Sequence, residues 1–287
     1  APISGKLFLN LPDFSKQTPR AIALDLDETT LNSNAKLNDR THAVLHAVHE
    51  LAVPIIIATS RPKRVLPALI GDDILEISSV VQMNGTVAVG KAGLTGKFNR
   101  TLDLNDARRC WNLIEEHAPW TRRTLEVDGI QFAVSHDDDI EELWAFDQSV
   151  SPMVISFEQA MKIGPAKISI NGIKRDLEAL AIRLEQRLSN KTVVLRAASK
   201  RFLNVIPSTA SKSLAIANLL KSADIPLADV LSFGDDFVDI DLISECGWSV
   251  AVDNAIPEIK KIAKYHTASN DNNGVAIVLE RLVCALS

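Results

Sequence analysis

The sequence predicts an α/β protein, a doubly wound parallel-sheet core with an α+β domain inserted into it. Three observations carry this prediction. Short apolar runs that open near Ala21, Val53, Ile77 and Val230 are strand-sized, and helix-period segments separate them. From 89 to 202 the texture changes to hairpins interleaved with helices, an α+β pattern. Beyond Pro207 the strand–helix alternation returns. The expected division is a core of 1–88 with 203–287, interrupted by an insert of 89–202.

Residues 1–20, with Pro2, Pro12 and Pro19, read as an irregular lead-in or a short edge element. The apolar run from Ala21 reads as a buried strand closed by Asp25-Leu-Asp-Glu-Thr. Asp25 and Asp27 are two apart, so in extended chain both point to one side. Carboxylates at the C-terminal lip of a buried parallel strand stand where open α/β sheets place ligands. Asp and Thr are also ordinary capping residues, so this stretch alone decides nothing. A helix follows over 39–51, with Val44, Leu45, Val48 and Leu51 on one face. His42, His46 and His49 form a stripe nearly opposite, which is expected to face water rather than to hold a metal.

The second strand, 53–58, ends in Thr59-Ser60-Arg61-Pro62. Hydroxyls, an Arg and a helix start at a strand end suit an anion, although a plain capped helix reads the same way. The third strand, 77–83, is closed by Asn84-Gly85, a turn signal leading into 86–89 as a hairpin. Strand, helix, strand, helix, strand implies a parallel, right-handed sheet.

In the insert, 103–117 reads as a helix, and Asp128-Gly129 joins strands at 121–127 and 130–134 into a hairpin. Strands are expected at 167–170, 192–195 and 202–206, with an amphipathic helix over 173–188. The run Asp137-Asp138-Asp139 with Glu141 and Glu142 reads as a solvated helix start. After it Ser211-Lys212-Ser213 opens a helix over 214–221. A strand at 229–233 ends in Gly234-Asp235-Asp236, one at 248–252 ends in Asp253-Asn254-Ala255, and helices at 257–265 and 275–285 close the chain.

Among the 287 residues 46% are hydrophobic and 23% charged, ordinary for a globular protein, and the net charge of −5 argues against nucleic-acid or anionic-membrane partners. Cys110, Cys246 and Cys284 are odd in number and lack a CxxC, which suits free thiols. No apolar run reaches a membrane span, and 1–14 lacks a basic region followed by an apolar segment. Cytoplasm is the expected compartment.

Asp25/Asp27, Thr59, Lys212, and Asp235 with Asp239, in this order, resemble motifs I to IV of the haloacid dehalogenase-like (HAD) phosphohydrolases. The wider match is to the Cof-type subgroup, through Asp25-Leu-Asp-Glu-Thr, Ala58-Thr-Ser-Arg-Pro, Asn84-Gly85, Gly234-Asp235, Asn254-Ala255 and Asn273-Gly274-Val275. The resemblance implies a Rossmann-like core and an α/β cap. It implies that Asp25 is a nucleophile that becomes an aspartyl-phosphate and that Asp27 is the general acid/base. Thr59, Ser60 and Lys212 would bind the phosphoryl group. Asp25, the Asp27 carbonyl and Asp235, with Asp239 in support, would carry Mg²⁺. Arg61, Asn84, Asp236 and Asn254 are candidates for substrate contact or support. Three residues depart from the family pattern: Glu28 and Ser60 stand in place of Gly, and Val238 in place of Asn.

The chemistry agrees independently. Several carboxylates and a phosphate dianion in one crevice repel by several kcal/mol, and a lysine with a hard divalent cation makes that tolerable. The expected function is Mg²⁺-dependent hydrolysis of small phosphate monoesters, sugar phosphates first, so that the partner is a small phosphorylated metabolite. The alternatives are a phosphomutase on the same core and a non-catalytic phosphate sensor.

Overall fold

The computed structural model describes residues 9–135 and 153–287, and the acidic run at 137–142 lies outside them. The main sheet is built from β1 (Ala21–Leu24), β2 (Ile55–Ala58), β3 (Ser78–Gln82), β4 (Val87–Val89) and β5 (Lys97–Asn99). Three late strands, β11 (Val230–Gly234), β12 (Trp248–Ala251) and β13 (Tyr265–His266), complete it. Their order is β13-β12-β11-β1-β2-β3-β4-β5. All neighbours from β13 to β3 are parallel, and β4 and β5 turn back antiparallel. The chain therefore starts in the middle, winds outward to β3, then returns on the other side of β1. The reversal lies between β1 and β11, where Ile22 pairs with Leu231. A crevice opens at such a reversal beyond the strand ends.

Every residue of β1 is fully buried, because helices cover both faces of the sheet. Ile22 and Leu24 pack with Val44, Leu45 and Val48 of helix α1 (Asp39–Glu50). The small residues Ala21 and Ala23 face Ala215, Ile216 and Leu219 of the helix Lys212–Leu220. That close approach brings the start of this helix over the end of β1. Ser211 caps it, its Oγ accepting from Leu214 N at 3.2 Å.

A second, antiparallel sheet has the order β7-β6-β8-β10-β9, made of β6 (Arg122–Glu126), β7 (Phe132–Val134), β8 (Lys167–Asn171), β9 (Thr192–Arg196) and β10 (Phe202–Pro207). Leu125, Ile168, Ile170, Leu203 and Val205 pack under the helices Leu104–His117 and Glu178–Arg187. The alternate residues of these strands, Thr124, Glu126, Lys167, Ser169 and Asn204, turn toward the main sheet's strand ends and line a cavity there.

The sheets shift both expected crossings. Lys97–Asn99 belongs to the main sheet and Phe202–Pro207 to the second, whereas a division at 88 and 203 puts each on the wrong side. Both strands are short or alternate weakly, so only their pairing reveals their allegiance. The helix expected over 173–188 forms as Glu178–Arg187, because Ile173, exposed and at φ +60°, lies in a turn held by Asn171 Oδ1. The helix expected to reach 265 stops at Ile262, and Tyr265–His266 pairs with Val250 and Ala251 as an edge strand. Cys110, Cys246 and Cys284 are free thiols. No helix among the described residues is long and apolar enough to cross a membrane.

The turn after β3 explains one invariant of the packing. Gly85 sits at φ +86°, and a Cβ there would stand 2.0 Å from the Ser211 carbonyl oxygen. Gly85→Ala is expected to destabilise the protein by roughly 2–4 kcal/mol, combining left-handed strain with a backbone clash. Denaturant unfolding measures this, and a loss under about 0.5 kcal/mol, the level of an indifferent surface change, would show that the helix start yields freely.

Candidate active site

The floor of the crevice is a buried ion cluster. Lys212 Nζ donates to Asp25 Oδ1 and to Asp239 Oδ1, each at 2.6 Å. Asp25 comes from the end of β1, Lys212 from the first turn of its helix, and Asp239 from the turn after β11. Asp239 Oδ2 accepts from the backbone N–H groups of Asp235 and Asp236 at 3.1 and 3.2 Å, so it also shapes the β11 loop. Thr29 Oγ1 donates to Asp235 Oδ1 at 2.7 Å. Carboxylate oxygens of Asp25, Asp235 and Asp239 lie within 4.8 Å of one another.

Two of these acids share one ammonium, and Asp235 stands beside them on a hydroxyl donor. Burial, then repulsion from Asp239, pushes Asp25 up to about 8, and burial with the Asp25 charge pushes Asp235 up to about 9. Burial opposes the charge on Lys212, but Asp239 and Asp25 outweigh it and raise its pKa. All the donors are oxygens and their negative charge exceeds what Lys212 neutralises. This set suits a hard divalent cation.

Asp27 faces the same cavity from a tight turn, but its carboxylate does not join the cluster. Arg61 clamps it, with Nε 2.9 Å from both oxygens and Nη2 2.7 Å from Oδ1. The turn needs Glu28 at φ +55°, a conformation that glycine adopts without a Cβ penalty. Asn254 braces it, donating to the Glu28 carbonyl at 2.6 Å. Thr59 is fully buried, and its Oγ1 accepts from Arg61 N at 3.1 Å. Ser60 and Val238 line the cavity wall.

The second sheet closes the crevice from above. Lys167 Nζ, from β8, donates to the Ser60 carbonyl at 2.7 Å and to Asn84 Oδ1 at 3.1 Å. Burial depresses its pKa to about 7, Glu126 opposing and Arg64 reinforcing the shift. Arg64 forms a two-pronged, buried pair with Glu126 of β6, at 2.6 and 3.0 Å. Asp236 accepts from Ala198 N at 3.0 and 3.1 Å. These contacts enclose a cavity of about 720 Å³.

Residues 22–279 match the family described as haloacid dehalogenase-like hydrolase. The chain belongs to that family. The Cof-type assignment made from its motifs stands. A 5-amino-6-(5-phospho-D-ribitylamino)uracil phosphatase of Bacillus subtilis is 22% identical over 286 residues, covering 92% of this chain and 98% of that one. A Streptococcus mutans structure aligns with a TM-score of 0.78 at 22% identity, over 93% of this chain and 100% of that one. A HAD subclass IIB sugar phosphatase aligns at 0.75 and 20% identity, over 91% and 98%. At these identities the two structures speak for the fold alone.

In this HAD-like hydrolase the fold gathers Asp25, Asp27, Ser60, Arg61, Asp235, Asp236 and Asn254 around one cavity, with Thr59, Asn84, Lys212 and Asp239 buried against it. Arg61, Asn84, Asp236 and Asn254 each make a bracing hydrogen bond. Sequence reading missed Lys167, Arg64 and Glu126. Lys167 and Glu126 alternate with apolar neighbours on their strands, a period-2 signal that marks one face without saying what it meets. The histidine stripe lies away from the crevice, as expected, but only His49 is simply exposed. His42 and His46 meet Asp73, which the short helix Asp72–Glu76 folds onto them.

Lys212→Met should destabilise the protein by about 3–5 kcal/mol, since it strands two buried carboxylates. Asp239→Asn, which removes a carboxylate from the acid excess while keeping hydrogen-bonding capacity, should cost clearly less. Chemical denaturation at neutral pH orders the two, and the reverse order would mean that Lys212 is not the cluster's keystone.

Proposed function

We propose that the protein is a Mg²⁺-dependent phosphatase of small phosphate monoesters, with sugar phosphates as the leading class, acting through an aspartyl-phosphate on Asp25. It is a phosphoric monoester hydrolase by family. The observation that carries the finer reading is the placement of Asp25 against Lys212 on the floor of a capped cavity, with Asp27 held separately beside it.

Asp25 Oδ attacks phosphorus as the ester P–O bond breaks, and Asp27 gives a proton to the departing alkoxide. Asp27 then takes a proton from water, whose oxygen attacks the acyl phosphate, releasing inorganic phosphate and restoring Asp25. Arg61 fixes the direction of the Asp27 carboxylate. Lys212 and the Thr59–Ser60 segment bind the phosphoryl oxygens, and charge stabilisation and alignment are the main demands of such a transfer. Mg²⁺, held by Asp25, Asp235 and the Asp27 carbonyl with Asp239 in support, would neutralise phosphate oxygens when bound. Above, Thr124, Ser169, Asn171 and Asn204 offer hydroxyl and amide groups that suit a polyhydroxylated leaving group. A cavity of about 720 Å³ beneath the second sheet favours a compact ester over a folded phosphoprotein.

Phosphate release across sugar phosphates, nucleotides and a folded phosphoprotein tests the reading. Turnover is expected on the compact esters and little on the phosphoprotein, and Asp25→Asn should lower it by at least about 10⁴-fold while the fold persists. An isomerised sugar phosphate without free phosphate would make the protein a mutase instead. Wild-type rates in Asp25→Asn would sink the covalent route.

Cation dependence has a second readout in stability. Asp25 and Asp235 have folded pKa values raised above the ordinary carboxylate value, so without a cation their contribution is fully present below about pH 4 and is lost as pH rises through 8 and 9. Mg²⁺ binds the ionised form and should restore it. The rise in Tm on adding Mg²⁺ is therefore expected to be larger at pH 8.5 than at pH 5.5. An equal rise at both, or none, would place the cation elsewhere.

A further inference from the structure

A second group of ligand atoms lies outside the cavity. His42 and His46 are four apart on α1, so their rings lie one turn apart, tilted by 53° with centroids 4.9 Å apart. Asp73 Oδ2 stands 2.6 Å from His42 Nε2 and 3.0 Å from His46 Nε2. The three ligand atoms lie within 4.8 Å of one another. Their side chains are 42%, 39% and 50% exposed, open to an ion from solvent and to water as a further ligand. The chain is built to deliver the carboxylate here. Gly71, at φ +82°, turns the backbone between two short helices, and a Cβ on it would stand 2.5 Å from Asp73 Oδ1.

We propose that His42, His46 and Asp73 form a surface site for a borderline divalent transition-metal ion of the Zn²⁺ class. Two imidazoles and one carboxylate select such ions over the Mg²⁺ that the all-oxygen cluster in the crevice suits. Ligands about 2.0–2.1 Å from zinc stand about 3.3 Å apart in a tetrahedron, so from 2.6 and 3.0 Å His42 needs to withdraw by about 0.7 Å and His46 by about 0.3 Å. Bound there, the ion ties α1 to the segment that follows the Thr59 loop, and it supports the fold rather than the reaction.

Calorimetric titration of Zn²⁺ into the full chain, in excess Mg²⁺, tests the site. The wild type should bind one equivalent more than a His42→Ala/His46→Ala variant, and any uptake by the crevice is common to both and cancels. Asp73→Asn should weaken that equivalent about tenfold or more, whereas His49→Ala should leave it unchanged. Zn²⁺ should raise Tm more in the wild type than in the double variant. Equal stoichiometry in wild type and double variant, or equal weakening by His49→Ala and Asp73→Asn, would overturn the assignment.

Discussion

The Lys212 ammonium, enclosed between Asp25 and Asp239, is the interaction on which the rest of the site depends. All three side chains are nearly inaccessible to water, at 1%, 7% and 0% exposed. Buried ions persist only where partners replace their hydration, and the partners here come from the two halves of the winding. Asp25 belongs to the first half, and Lys212 and Asp239 to the return. The small residues of β1 let the Lys212 helix settle close enough to reach, and Gly85 lets the helix start pass the β3 turn. Packing choices some distance from any charge thus fix the geometry of the charges.

The interface with the second sheet obeys the same rule with the signs arranged differently. Arg64 and Glu126 satisfy each other in a dry, two-pronged pair, and Arg64 also lies 3.9 Å over the Phe132 ring. Such a pair adds little net stability against an apolar replacement, but it penalises any docking that separates its partners. Lys167 donates to a carbonyl and an amide oxygen, and burial, which these neutral partners do not offset, lowers its pKa. The seam is therefore specific in register.

Much of this was legible in the sequence. The alternation of strand and helix required a parallel sheet, and acids and hydroxyls at strand ends located the crevice before any coordinate was known. Position along the chain could not say which acids touch. Asp27, two residues from Asp25, is drawn off by Arg61, while Asp239, over two hundred residues away, shares its lysine. The boundaries of the insert are not legible in sequence, because a three-residue strand such as Lys97–Asn99 carries too few residues to show its period, and its membership is decided by pairing with Val87–Val89. The histidine stripe was read as merely solvated because its partner, Asp73, lies in a segment of two short helices whose fold-back rests on the φ of Gly71.

Charge in the cavity is sorted by height, and the sorting constrains how an ester can enter. Asp25, Asp235 and Asp239 lie at the floor, where Lys212 pairs with Asp25 and Asp239. Arg61, Arg64 and Lys167 ring the wall above, two of them already holding Asp27 and Glu126. On the proposed function, a phosphate dianion would be drawn past the ring of bases and repelled by the floor until a cation lowered the acid excess. Its uncharged portion would meet the hydroxyl and amide groups of β8 and β10, Ser169 and Asn204. The reverse pose would put hydroxyls among unneutralised carboxylates and a dianion beside groups too weak to hold it, a loss of several kcal/mol at intermediate dielectric. On that reading the order in which the charges are stacked sets orientation, and the second sheet is left to discriminate among leaving groups.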